Sequence, residues 1–411
     1  MAIFKKSNFK QGYIFYFVLI IINFPKINLI SIAGYKQGIR LDDLLILLFC
    51  LFNFRYISFS KTSFYIFFYI TLTYLFSFVH QPDSIFTNFV HFHYLRFLEY
   101  LFLYLILLEK LNRKLILNLA IYTLIFQFVF SLINFLFFFN PTPTFTRFSR
   151  ASGTTAGPWE LTMMLGILYF VISDYYEYSR ARLKGFFAYL SLWFLIIIAY
   201  SRIVAIAFLS IFIIQRVKIF FILSMILILF FIVFGNIIAS FSLEIPDKLN
   251  LSYFKLDKAF NFLRDFGSAI IENWSKGSFY LGNRGDFYDA TSRYYDPSIV
   301  GRLQQWGRYL NVINNSDIKL FAILFGSGPG SGGIINDGMY IKIFVDFGLF
   351  GLLIYFFLVS YLFVKKKEVR FLLIFISICC VTLDFYWPTK IVYSLILTMC
   401  YFDKKNYKRG I

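Results

Sequence analysis

Residues 337–351, DGMYIKIFVDFGLFG, carry the chain out of a long hydrophilic segment and into an apolar one. The polar segment, residues 236–337, stands alone in a greasy chain, so a loop of this size is retained for a task. Behind it, residues 338–364 are long enough to cross a bilayer as a helix, which takes about 20 residues.

Apolar runs of that length recur from end to end. They fall at 13–32, 41–59, 64–80, 91–108, 115–139, 159–175, 185–200, 202–214, 219–235, 338–364, 370–385 and 388–402. Only 15% of residues are charged and 59% are hydrophobic, where a soluble chain is charged at about a quarter of its positions. The expectation is an all-α polytopic membrane protein with about 12 transmembrane helices. Short alternating segments of a β-barrel do not occur. Three parts follow: N-terminal membrane helices over 1–235, a large loop over 236–337, and C-terminal membrane helices over 338–411.

The net charge of +18 invites a nucleic-acid partner, but its placement argues for none. Basic clusters fall at Lys5/Lys6/Lys10, Arg55/Lys61, Lys110/Arg113/Lys114, Arg180/Arg182/Lys184, Arg216/Lys218, Lys365–Lys367/Arg370 and Lys404/Lys405/Lys408/Arg409. Every second connection carries one, which is the positive-inside pattern. Both termini are then cytoplasmic and the 236–337 loop faces outward. Residues 185–214 read either as one long helix or as a hairpin. The hairpin keeps Arg202 at an outer tip rather than near the bilayer centre, where it costs about 2.5–3.5 kcal/mol. The basic n-region before the first run has no convincing small-residue cleavage site after it, so that span is expected to be retained.

The 58 phenylalanines accompany high Ile, Lys, Asn and Tyr and read as nucleotide bias. Cys50, Cys379, Cys380 and Cys400 all sit in apolar runs and give neither a disulfide framework nor a thiolate metal site. His80, His91 and His93 lack a further ligand nearby, so no metal is expected. Within the loop, 249–265 and 298–313 read as amphipathic helices, and the loop reads as a lid over the membrane part.

Four outward-facing patches carry candidate chemistry. Residues 147–160, RFSRASGTTAGPWE, place Arg147 and Arg150 in a Gly/Thr-rich segment that exposes N–H groups to an anion or is an ordinary turn. Ser201-Arg202 puts a guanidinium between apolar helices, as a functional group or a snorkelling one. Arg302, Trp306 and Tyr309 share a helix face, suited to phosphate or sugar or to lid packing. The exit, FGSGPGSGGIINDGMY, is either a phosphate-cradling loop or a close-packing entry to the next span, and Asp337 is its carboxylate nearest the arginines. Within the span, Lys342 and Asp346 lie four apart and are expected to neutralise each other or face the interior. Arg96 and Glu99 invite the same reading. Together these give an arginine-rich outward cavity at the membrane border. Guanidinium groups pair well with a diphosphate, and a carboxylate can deprotonate a sugar hydroxyl.

The order of the patches resembles the O-antigen ligase/polymerase family: RASGTTAGPW at 150–159, Ser201-Arg202, GRLQQW at 301–306, FGSGPG at 325–330, then DGMY at 337–340 with Gly348 and Gly351. The resemblance covers residues 145–365. It implies a GT-C-type membrane domain in the bacterial inner membrane, with one helical periplasmic loop and no cofactor. It implies undecaprenyl-diphosphate-linked glycan as donor and acceptor, surrounding membrane lipid, and a chain-length regulator and a flippase as partners. Arg202 and Arg302 would bind the diphosphate with Arg150 as a third, Asp337 would serve the acceptor hydroxyl, and Trp306, Tyr340 and Arg147 would contact substrate. Ligases typically carry histidine where this chain has Asp337. The polymerase branch is therefore expected: assembly of lipid-linked repeat units into O-antigen or a related polysaccharide. The alternatives are a ligase that moves the glycan to lipid A core and, in another class, a lipid-linked oligosaccharide flippase.

Overall fold

The computed structural model describes residues 2–25, 27–31, 38–80, 86–137, 152–155, 157–177, 182–199, 201–215, 318–329, 338–381, 383 and 388–407, with Arg302–Gln304, Trp306, Gly307, Leu310, Ile313 and Ser316 from the polar loop. The proposed span 219–235, the amphipathic stretch 249–265, and Arg147, Arg150 and Asp337 lie outside the described residues.

The chain is almost entirely helical. In order the helices are α1 (Ala2–Asn23), α2 (Leu41–Phe52), α3 (Lys61–His80), α4 (Phe86–Lys110), α5 (Arg113–Phe137), α6 (Pro158–Glu177), α7 (Arg182–Ile198), α8 (Arg202–Gln215), α9 (Lys319–Phe325), α10 (Met339–Lys365), α11 (Arg370–Cys380) and α12 (Thr389–Tyr407). Between α1 and α2 a short antiparallel pair, β1 (Asn28–Ser31) and β2 (Gly38–Arg40), joins Asn28 to Arg40 and Ser31 to Gly38. The apolar run 13–32 is therefore not one helix. Pro25, two residues past the last helical position, cannot continue the ladder, and the chain turns into β1.

Among the described residues, α5 and α10 are long and apolar enough to cross a membrane. Their burial pattern points the same way. α5 turns Thr123, Gln127, Ser131 and Asn134 inward and leaves Ile125, Val129 and Leu136 exposed. α10 buries Lys342 and Asp346 and exposes Leu353, Phe357 and Val364. In water that arrangement would waste apolar burial. In lipid it is favourable, because polar groups must find partners within the protein.

The interior is built on α6 and α12, with α5, α7, α8 and α11 around them. Trp193 of α7, Phe208 of α8 and Phe375 of α11 are fully buried together. Contact between Trp193 and Phe208 requires the chain to fold back after α7. The break falls at residues 199–201, so the 185–214 run is two helices with Arg202 opening the second.

Polar contacts gather at the two ends of the bundle. At one end Arg113 donates to the Tyr401 hydroxyl (2.8 Å), which donates to Asp174, while Tyr104 and Lys366 both reach Asp403. This end holds the close of α4, α6, α10 and α12 and the start of α5. The basic clusters at 110–114 and 365–370 therefore share it. The other end holds the close of α1, the start of α2 and α12, and the 152–155 turn.

Candidate functional site

Arg40, Asp42, Asp43 and Lys390 are buried at the second end, and α10 opens after Gly338. With φ of 121° that residue sits where side chains are disfavoured. A Cβ there would come within 2.6 Å of the Trp306 indole nitrogen. The tryptophan of the 301–306 motif is thus seated on the glycine of the 337–340 motif. Arg302 lies one helical turn before it and is partly exposed. Tyr340 stacks on Phe356 (5.6 Å between rings), and its hydroxyl donates to the carbonyl of Ser377 at 2.9 Å. That hydrogen bond ties α10 to α11. Arg202 opens α8, partly exposed, beside the buried Ser201.

Two turns into α10 the helix breaks. Gly348 takes φ 68°, ψ −169°, outside the helical region. Broken ladders leave carbonyls that lipid cannot satisfy. Here the neighbours supply the donors: Ser327 N–H reaches the Val345 carbonyl (2.8 Å), Gly328 N–H that of Asp346 (3.1 Å), and the Tyr69 hydroxyl that of Phe347 (2.7 Å). The two backbones touch. A Cβ on Gly326 would overlap the Asp346 carbonyl group, and one on Gly348 would overlap that of Leu324. At 326–328 the glycine-rich exit is therefore a close-packed staple holding a discontinuous helix, and its bonded N–H groups hold no phosphate. Gly330, Gly332 and Gly333 lie outside the described residues.

Beside the break, Lys342 and Asp346 pair at 3.3 Å with no exposure, as their spacing predicts. Arg96 faces the interior, one of the two expected outcomes, and finds its carboxylate elsewhere than at Glu99. Arg96 donates to Asp43 (2.7 Å), a residue of α2. The first turn of α2 is folded inward by its own cap: the backbone N–H and guanidinium of Arg40 both bond the Asp43 carboxylate at 3.1 Å. Arg40 also reaches Asp42 (3.2 Å) and donates to Thr389 at the start of α12 (2.9 Å). Arg40, Asp42, Asp43 and Arg96 are all buried.

Lys390, next on α12, is buried and donates to both the carbonyl and hydroxyl of Thr154 at 2.7 Å. Gln127 of α5 completes that residue. Its carbonyl accepts from Thr154 N–H (3.0 Å), and its amide donates to Thr154 Oγ1 (2.7 Å) and to Asn23 of α1 (3.0 Å). Residues 152–155 are thus a buried, internally bonded turn, and the N–H of Thr154 is not offered to an anion.

The sequence singled out Arg202, Arg302, Trp306 and Tyr340; the structure brings Trp306 onto Gly338, two residues before Tyr340, and among the described residues shows no contact between Arg202 and the other three. It adds Arg40, Asp42, Asp43, Gln127 and Lys390, which sequence reasoning passed over. The signal available was two acids and an arginine at the mouth of an apolar run, Arg-Leu-Asp-Asp at 40–43, where ionisable residues are rarely retained without a role. No protein-family model matches the chain, and no curated protein matches it.

Proposed function

We propose that the chain is a membrane glycosyltransferase that polymerises undecaprenyl-diphosphate-linked repeat units at the outer face of the bacterial inner membrane, both termini lying in the cytoplasm. The seating of Trp306 on Gly338 carries this reading. It brings together two of the five ordered motifs, those at 301–306 and 337–340.

In the proposed step the oxygen of an acceptor sugar hydroxyl attacks the anomeric carbon of the donor glycan. The bond from that carbon to the diphosphate oxygen breaks, and the diphosphate leaves with the electron pair. Arg202 and Arg302, with Arg150, stabilise its charge, as fixed donors do for a developing oxyanion. Asp337 takes the hydroxyl proton. Trp306 offers an aromatic face to a sugar ring.

Arg302→Ala is expected to reach the membrane in normal amount and to leave single capped repeats in place of long chains, read by electrophoresis of the extracted glycan. Normal-length polymer would refute the role of Arg302. Long chains retained on the carrier lipid would identify a ligase instead.

A further inference from the structure

Three carboxylates and two guanidiniums meet where α2, α4 and α12 touch. Arg96 takes Asp43, and Arg40 takes Asp42 and Asp43. Glu99, one turn after Arg96 on α4, is the carboxylate in excess. Among the described residues it has no ion pair or hydrogen bond; the residue is partly exposed, with its Oε2 enclosed. Neighbouring cations are directed elsewhere, Lys342 to Asp346 and Lys390 to Thr154. Four further polar atoms of the cluster are enclosed without a hydrogen-bonding partner among the described residues: Arg40 Nε, Asp42 Oδ1 and the hydroxyls of Tyr100 and Tyr393. The two tyrosine rings meet edge to face at 5.9 Å.

A carboxylate with an enclosed, unbonded oxygen in such surroundings is unfavourable, and the ordinary resolution is uptake of a proton. Among the described residues no group of three His, Cys, Asp or Glu side chains could hold a metal ion. The enclosed atoms mix donors and acceptors, the setting in which a buried water makes two to four hydrogen bonds.

We propose that this cluster is a proton-binding site: Glu99 holds one proton at neutral pH, and enclosed water links its carboxyl to Asp42 and to the hydroxyls of Tyr100 and Tyr393. The groups within electrostatic reach are Asp42, Asp43 and Cys50 from α2, Arg40 ahead of it, and Arg96 and Tyr100 on α4 itself. From α12, Tyr393 reaches Asp42, Asp43 and Tyr100. From α3, Tyr74 is engaged with His91, two turns away along α4. Arg55 and Tyr56 belong to the opposite end. Loss of the proton would set three carboxylates against two guanidiniums and loosen the contact of α2 and α4 with α12. The site stands whether or not the chain transfers sugars.

Infrared difference spectra of the purified full chain in nanodiscs test it. A protonated-carboxyl band is expected at pH 7, shifting in D2O and missing from Glu99→Gln. Tyr393→Phe, which removes one hydroxyl, is expected to move that band without abolishing it. Absence of the band in the wild type, as a cation pairing with Glu99 would produce, overturns the proposal. So does its persistence in Glu99→Gln. Should Glu99→Gln fail to assemble, an unmoved band in Tyr393→Phe refutes the linkage.

Discussion

Lys342 is fully buried on α10, and Asp346 is its ion-pair partner. Removing one member leaves the other's charge enclosed. Lys342→Met is therefore expected to cost about 3–5 kcal/mol, measured by thermal unfolding in detergent. Lys342→Met with Asp346→Leu should recover most of that loss, since an apolar pair of similar volume fits the site. Equal stability of the single and double variants would mean that the charges do not depend on each other. This pair was legible in the sequence because a spacing of four in a helix fixes the contact. Arg96 was not. Its nearby acid on the same helix is Glu99, yet it bonds Asp43, 53 positions away. The cap of α2 fixes Asp43 where Arg96 bonds it, and no local spacing encodes that.

At the scale of the element, α10 is two helical pieces joined at Gly348 and held by the 326–328 staple. Alanine at Gly326 or Gly348 meets neighbouring backbone and takes up a disfavoured positive φ. Each change should cost about 2–3 kcal/mol or more, seen as a lowered unfolding temperature. Gly12, with nothing near its Cβ position, is the control and should tolerate alanine. The glycine run in the sequence left a phosphate cradle and a close-packed entry equally open. Tertiary contact decided for packing, because the carbonyls freed by the break needed donors and the loop N–H groups lay within reach. Likewise the Gly/Thr turn at 152–157 is closed by Gln127 and Lys390, both distant in sequence.

For the whole molecule, the contacts of α1, α4, α5, α6, α10 and α12 sort the described helix ends into two polar clusters, with the basic connections at one of them. Cysteine labelling tests the orientation that the basic residues imply. The native cysteines are all buried, so background should be low. Leu29→Cys, at an exposed position between α1 and α2, is expected to react with an impermeant maleimide on intact cells. Lys367→Cys, in the exposed connection between α10 and α11, should react only after permeabilisation. The reverse pattern would invert the protein and place Arg202 and Trp306 in the cytoplasm, ending the proposed function.

Sequence alone determined that the described chain is helical and apolar, and where most of its helices begin. Hydrophobic run length and charge placement are local quantities, and they survive without coordinates. Only the tertiary structure decided that the glycines staple a broken helix, that Trp306 rests on Gly338, and that the start of α2 turns inward to Arg96. Each depends on which distant partner satisfies a polar group withdrawn from water, and that choice is made by packing.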